Sequence, residues 1–195
     1  EFLTEDQAKK LLAAPDRTTL QGKRDYAMLA LLLTCGLRTI ELARAKVSDV
    51  QPSAGGVVLY IQGKGRDAKD EYVKIVAPVH EALQDYIDAR GKLEVDAPLF
   101  CSLSNRNYGS GLTTRSISRI VKNYLESIGL TSSRYTAHSL RHTAATLNLL
   151  HGGSLEETQQ LLRHQNIQTT MIYNHAIERA RNRSEERIAS AIFAS

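Results

Sequence analysis

Several side chains of this 195-residue sequence stand at spacings suited to holding an oxyanion. In the stretch Thr136-Ala137-His138-Ser139-Leu140-Arg141-His142, His138 and Arg141 lie at i and i+3 in the first turn of an expected helix. They face one way, at the end where unbonded amide hydrogens and the macrodipole favour negative charge. A capping histidine beside a surface arginine gives the same pattern. Arg38 precedes Glu41 by three positions, so a carboxylate on the same face is available to orient a guanidinium. An ordinary surface ion pair reads identically. Lys64 stands between Gly63 and Gly65 in a turn-rich stretch, free to reach a ligand or simply to be solvated; the spacing of a nucleotide-binding loop is absent. Arginine suits a bidentate grip on phosphate, where lysine acts as a point charge. His138 and His142 also share the i, i+4 spacing of two zinc ligands. Ser139 occupies the place of the glutamate in the protease motif and no third ligand is evident, so no metal is expected.

The charge distribution points the same way. The chain carries a net charge of +4, with 25 lysines and arginines against 21 acids. Residues 101–155 hold six basic groups (Arg106, Arg115, Arg119, Lys122, Arg134, Arg141) against the single acid Glu126. A basic segment in an otherwise neutral chain is what a polyanion-binding surface requires, although a solvated surface satisfies it too. Arg115, Arg119 and Lys122 fall at i, i+4 and i+7, a stripe able to lie along a DNA groove, reading guanine edges or gripping phosphate. The longest apolar run, Ala27 to Leu33, is too short to span a bilayer and no secretory pattern is present, so a cytoplasmic protein without membrane contact is expected. Cys35 and Cys101 form no CxxC pair, and reduced thiols are the default.

These groups need positioning elements, and the periodicity supplies them. Thr4 with Gln7 makes a capping box for a helix over about 5–13, stopping near Pro15. A second helix over about 23–35 ends at Gly36, and a short third begins near Thr39 and covers Ile40 to Ala45. Val57 to Ile61 and Tyr72 to Val76 are β-branched and aromatic runs that form a small antiparallel hairpin or sheet. Helices follow over about 79–91, 114–128 and 138–151, then from Ser154 to Arg163, from Asn166 to Asn174 and from Ile177 to Ile192. The fold class is mainly α with a small antiparallel β-sheet (α+β), as a single domain over 3–195.

Near the carboxyl end comes Leu161-Leu162-Arg163-His164, followed by Thr169-Thr170 and, nine residues after His164, Tyr173. Arg38, Glu41, Lys64, His138-x-x-Arg141, His164 and Tyr173, in this order and spacing, closely resemble the catalytic set of the tyrosine recombinases, the phage-integrase family. The likeness extends from the helix at Thr4 to just past Tyr173. One departure is Arg163, where the family often has glycine.

The resemblance implies the tyrosine recombinase catalytic-domain fold and site-specific DNA recombination or integration. Tyr173 would attack a phosphodiester to form a 3′-phosphotyrosyl link, with no cofactor and no metal. Arg38 and Arg141 would hold the non-bridging oxygens, and Lys64 would protonate the departing 5′-oxygen. His138 would assist the phenolic proton, His164 would hydrogen-bond the phosphate, and Glu41 would orient the basic groups. It further implies double-stranded DNA as partner, a homo-tetramer on DNA with a monomer when free, and accessory directionality proteins. Residues 177–195 are the candidate exchange segment between subunits, and an upstream DNA-clamping domain is expected to be missing from this chain. Two other readings remain: a type IB topoisomerase that relaxes supercoils without exchanging partners, and a non-catalytic DNA-binding accessory protein.

Overall fold

In the computed structural model the described residues are all of 1–195 except 63, 64, 66, 164–170, 172, 173, 176, 180, 194 and 195. They fall into two compact units, Glu1–Ala144 and Ala145–Ser195.

The first unit is organised around one buried helix. Helix α1 (Glu5–Ala13) starts at the capping box: the Gln7 N–H donates to Thr4 Oγ1 at 3.2 Å, and the Thr4 N–H donates to Gln7 Oε1 at 2.9 Å. Helix α2 (Leu20–Cys35) begins three residues earlier than the apolar periodicity indicates, because the Thr19 hydroxyl accepts the Gly22 N–H at 2.9 Å. At Gly22 a side chain is excluded outright, since a Cβ would lie 1.6 Å from the Asp16 carbonyl oxygen. Ala27 to Leu32 are all buried, so α2 is apolar nearly all round and forms the centre of the core. It ends at Gly36, whose left-handed conformation (φ 60°, ψ 34°) brings the chain into Leu37 and Arg38.

After α3 (Thr39–Ala43) and a single 3-10 turn (Val47–Asp49) comes a three-stranded antiparallel sheet in the order β1 (Val50–Ser53), β2 (Gly56–Ile61), β3 (Glu71–Ile75). The expected hairpin is β2–β3, in the register Leu59 opposite Val73. Strand β1 was not evident from the sequence because it is short and contains Pro52, which only an edge strand tolerates. Leu59, Ile61, Val73 and Ile75 turn into the core, while Tyr60 and Tyr72 pair on the other face with ring centroids 6.1 Å apart.

Helix α4 (Ala77–Arg90) carries Pro78 in its first turn, where no amide hydrogen is needed. Its Tyr86 stacks on Phe100 at 5.6 Å. Helix α5 (Thr114–Ser127) buries Ile117, Val121 and Leu125, and the Tyr124 hydroxyl donates to the buried Asp25 carboxylate of α2 at 2.6 Å. Burial, with that carboxylate alongside, pushes the Tyr124 phenol pKa far up. Helix α6 (Ala137–Leu150) begins in the first unit and ends in the second.

In the second unit, Ser154 caps α7 (Leu155–Leu162), accepting the Glu157 N–H at 3.0 Å, and Asn148 Nδ2 donates to Thr158 Oγ1 at 3.0 Å. Arg163 follows in the left-handed conformation (φ 55°), which glycine adopts without steric penalty. The last helix, α8, covers Ser184–Phe193. Residues 177–179 are helical, but Asn182 and Arg183 are not: the Asn182 side chain accepts the Ser184 N–H at 2.9 Å and starts a new helix there. The continuous helix expected over Ile177 to Ile192 is therefore broken. No residue of α8 is buried, and the expected apolar stripe is open, with Ile188, Ile192 and Phe193 exposed. The helix expected over Asn166 to Asn174 lies outside the described residues for most of its length. Among the described residues no helix is long and apolar enough to cross a membrane.

Candidate active site

The first wall of the site is the turn that leaves α2. Gly36 closes that helix with its N–H on the Leu32 carbonyl at 3.2 Å, and Leu37 is buried, so Arg38 emerges in a defined direction. Arg38 is the residue before α3, and its N–H donates to Glu41 Oε1 at 2.7 Å. One guanidinium nitrogen of Arg38 lies 3.8 Å from Glu41 Oε2, with the glutamate side chain fully buried and the arginine about a third exposed. Glu41 thus caps α3 and attracts the Arg38 head group with a single carboxylate. The sequence spacing identified the pair; it did not reveal that the backbone bond is the shorter of the two.

The opposite wall is the first turn of α6. Ser139 Oγ accepts the Thr136 N–H at 3.0 Å and donates to the Arg134 carbonyl at 3.2 Å, which fixes the start of the helix. Thr143 Oγ1 accepts the Leu3 N–H at 2.8 Å. With Leu140 buried, His138 and Arg141 are carried on a rigid frame. Arg141 is itself buried, and one guanidinium nitrogen donates to the Gly36 carbonyl at 2.5 Å. His138 keeps an exposed side, and its ring meets that of His142 edge-on, centroids 4.2 Å apart. Partial desolvation, then the Arg141 and Arg38 charges, hold the His138 imidazole below its usual value, so it is neutral at pH 7 and able to accept a proton.

Arg38, Glu41, His138 and Arg141 are therefore brought together. Beside them lies a cavity of about 410 Å³, lined by Arg38, Thr39, Thr114, Ser118, Thr136 and His138 with Leu37, Ile40 and Ala137. Among the described residues no carboxylate lines it. Next to this cavity the Arg38 and Arg141 guanidiniums and the neutral His138 imidazole suit a phosphate-like anion, with a proton acceptor in reach. Lys64, His164 and Tyr173 lie outside the described residues. Among the described residues no cluster of His, Cys, Asp or Glu is placed to hold a metal ion.

The basic stripe of α5 is narrower than its spacing indicates. Arg115 and Arg119 are exposed, but the Lys122 ammonium donates to the Ser132 carbonyl at 2.7 Å and the Tyr135 carbonyl at 2.8 Å. Lys122 ties down the loop that leads to α6. Arg119 instead lines a polar cleft of about 530 Å³ with Arg24, Arg106 and Asn107. Sequence reasoning also missed Lys69, whose ammonium contacts the Asp49 carboxylate and donates to the Arg44 carbonyl at 3.2 Å. Asp49 accepts the Lys46 N–H at 2.7 Å as well, so the segment leading into β3 is fastened to the turn after α3. Only tertiary contact reveals such a pairing, because the two residues stand twenty positions apart.

The sequence model of the phage integrase family matches residues 1–179. The chain is 34% identical over 190 residues to the tyrosine recombinase Synpcc7942_B2651 of Synechococcus elongatus, covering 97% of this chain and 58% of that protein. Its fold is similar to that of XerA recombinase, with a TM-score of 0.73 at 29% identity, over 100% of this chain and 64% of that one. It is similar also to XerH site-specific recombinase bound to a palindromic difH substrate in a post-cleavage complex, with a TM-score of 0.74 at 25% identity, over 100% of this chain and 53% of that one. The chain thus spans less than two thirds of the length of these relatives.

Proposed function

Because the chain belongs to the phage integrase family, we propose that it is the catalytic part of a site-specific tyrosine recombinase, which breaks and rejoins double-stranded DNA through a 3′-phosphotyrosyl intermediate. The observation that carries this reading is the convergence of Arg38, His138 and Arg141, drawn from stretches about a hundred residues apart, beside an open cavity that no carboxylate among the described residues lines.

In this reaction the Tyr173 oxygen bonds to phosphorus and the bond from phosphorus to the 5′-oxygen breaks. Neutral His138 takes the phenolic proton, and Lys64 gives a proton to the departing 5′-oxygen. A phenol, with its pKa near 10, is a usable nucleophile and a good leaving group, so the link retains the energy for reversal on a second strand. Arg38 and Arg141 hold the non-bridging oxygens as negative charge grows, each contributing roughly 10² to 10³ in rate by analogy with other preorganised donors. His164 hydrogen-bonds the same phosphate, and Glu41 keeps Arg38 in place.

Arg115 and Arg119 meet the flanking duplex, while residues 177–195, with the open apolar side of α8, are the segment exchanged between subunits of a tetramer on DNA. The free chain is a monomer, accessory proteins set direction, and the protein works in the cytoplasm as one catalytic domain over 3–195. A relative named as a tyrosine recombinase and a neighbour named as a site-specific recombinase in a post-cleavage complex favour strand exchange over relaxation alone or passive binding. The test is incubation of the chain with a randomised pool of nicked duplexes. A covalent protein–DNA band that survives SDS and disappears in Tyr173→Phe supports the reading; a band that persists in that variant refutes it.

A further inference from the structure

The cavity beside the cradle has a chemical character that the cleavage step does not use. Four hydroxyl side chains, Thr39, Thr114, Ser118 and Thr136, line it together with Arg38 and His138. Among the described residues, none of these four hydroxyls has a hydrogen-bond partner within the protein. The neighbouring hydroxyls contrast with them. Thr113 Oγ1 donates to Ser116 Oγ at 3.0 Å and accepts the Ser116 N–H at 3.1 Å, and Ser139 Oγ is engaged at both ends. The neighbouring Thr113, Ser116 and Ser139 hydroxyls are taken up by the fold, and the four that share the cavity remain available to a ligand.

From this contrast we infer that the cavity is a second phosphate subsite, where Thr114 and Ser118 donate to the phosphodiester adjoining the scissile one. The inference rests on the recombinase reading and deepens it. A DNA strand advances only about 3.4 Å along the helix axis per nucleotide, so a strand with one phosphate on Arg38, His138 and Arg141 brings the next to the adjoining space. Hydroxyls grip a non-bridging oxygen without regard to base identity, and among the described residues no carboxylate lines the cavity to repel it. Thr114 and Ser118 stand four residues apart on α5, hence on one face, and that helix is locked into the core through Ile117, Val121 and Leu125. They act as positioning residues: by seating the neighbouring phosphate they fix which phosphodiester meets the cradle.

The experiment uses the whole chain and the best-cleaved nicked duplex from the randomised pool. Single neutral methylphosphonates are placed on either side of the scissile phosphate, and each duplex is presented to the wild type, to Ser118→Ala and to the pair Thr114→Val with Ser118→Ala. Thermal unfolding checks that the variants remain folded, and Ser118→Ala is the milder change because that side chain is exposed. At one flanking position, neutralisation and hydroxyl removal are each expected to reduce DNA affinity about 10-fold. The two combined are expected to cost no more than either alone, a coupling that a merely structural role for the hydroxyls does not produce. Losses that multiply, or no effect of methylphosphonate at either neighbour, overturn the subsite while leaving the recombinase reading intact. Failure of the wild type to form an adduct with any duplex overturns both.

Discussion

The Arg141 guanidinium donates to the Gly36 carbonyl across 105 residues of sequence, at 2.5 Å. One bond joins the first turn of α6 to the turn that ends α2, two residues before Arg38. The left-handed glycine that stops α2 therefore also sets the distance between the two arginines. Burial holds the Arg141 side chain in this orientation.

Arg141→Lys is the most informative conservative change at this position. An ammonium retains the charge but lacks the planar fork, so it cannot hold Gly36 and a phosphate in the same geometry. Covalent adduct formation is expected to fall roughly 10²-fold or more. Single-turnover cleavage of a nicked duplex measures it, with unfolding curves to confirm that the fold persists.

His138 provides a pH test. Desolvation, then Arg141 and Arg38, keep its imidazole below the ordinary 6.5. Its charged form is thus penalised in the folded chain: the contribution to stability is fully present above pH 6.5 and declines as pH falls from there through the lower, folded value. Imidazole NMR titration should place His138 below 6.5, and Arg38→Gln should move it upward. A value unmoved by that substitution contradicts the coupling between the two groups.

Glu41 serves two roles, and substitution separates them. Glu41→Ala removes both the cap on the Arg38 N–H and the carboxylate beside the guanidinium, and is expected to destabilise the fold by about 1–2 kcal/mol. Glu41→Gln retains an acceptor for the N–H and should lose less. Both variants should slow adduct formation, since both remove the charge that holds the Arg38 head group. Urea unfolding and single-turnover cleavage read the two effects independently.

Arg163 follows α7 at a φ of 55°. A Cβ in that conformation costs roughly 1–2 kcal/mol, part of which glycine returns through its freer unfolded chain. Arg163→Gly is expected to stabilise the protein by about 0.5–1 kcal/mol, read as a higher thermal midpoint. A lower midpoint would mean that the bond from the Arg163 guanidinium to the Leu161 carbonyl, at 2.5 Å, outweighs the backbone strain.

What could be read without coordinates had local causes. The Thr4–Gln7 capping box, the Gly36 stop, the apolar stripe of α5 and the His138–Arg141 spacing each depend on residues a few positions apart. What escaped depends on distant partners or on context. Strand β1 contains a proline that only its edge position excuses. Lys122 has the spacing of a DNA-facing residue, yet its ammonium is held by two carbonyls ten and thirteen positions away. The Asn182 cap divides what periodicity alone makes a single helix. In the site, Arg38 and Glu41 are legible as a pair, whereas the four hydroxyls that line the adjoining cavity come together only when α3, α5 and the start of α6 are packed.

The central claim is that the cradle of Arg38, His138 and Arg141 serves an attack by one particular phenol. The most direct measurement is peptide mapping by mass spectrometry of the SDS-resistant adduct trapped on a nicked duplex, after protease and nuclease digestion. The nucleotide remnant is expected on Tyr173, joined through its 3′-phosphate, with a free 5′-hydroxyl on the released strand. A remnant on any other side chain, or linkage through a 5′-phosphate, contradicts that claim.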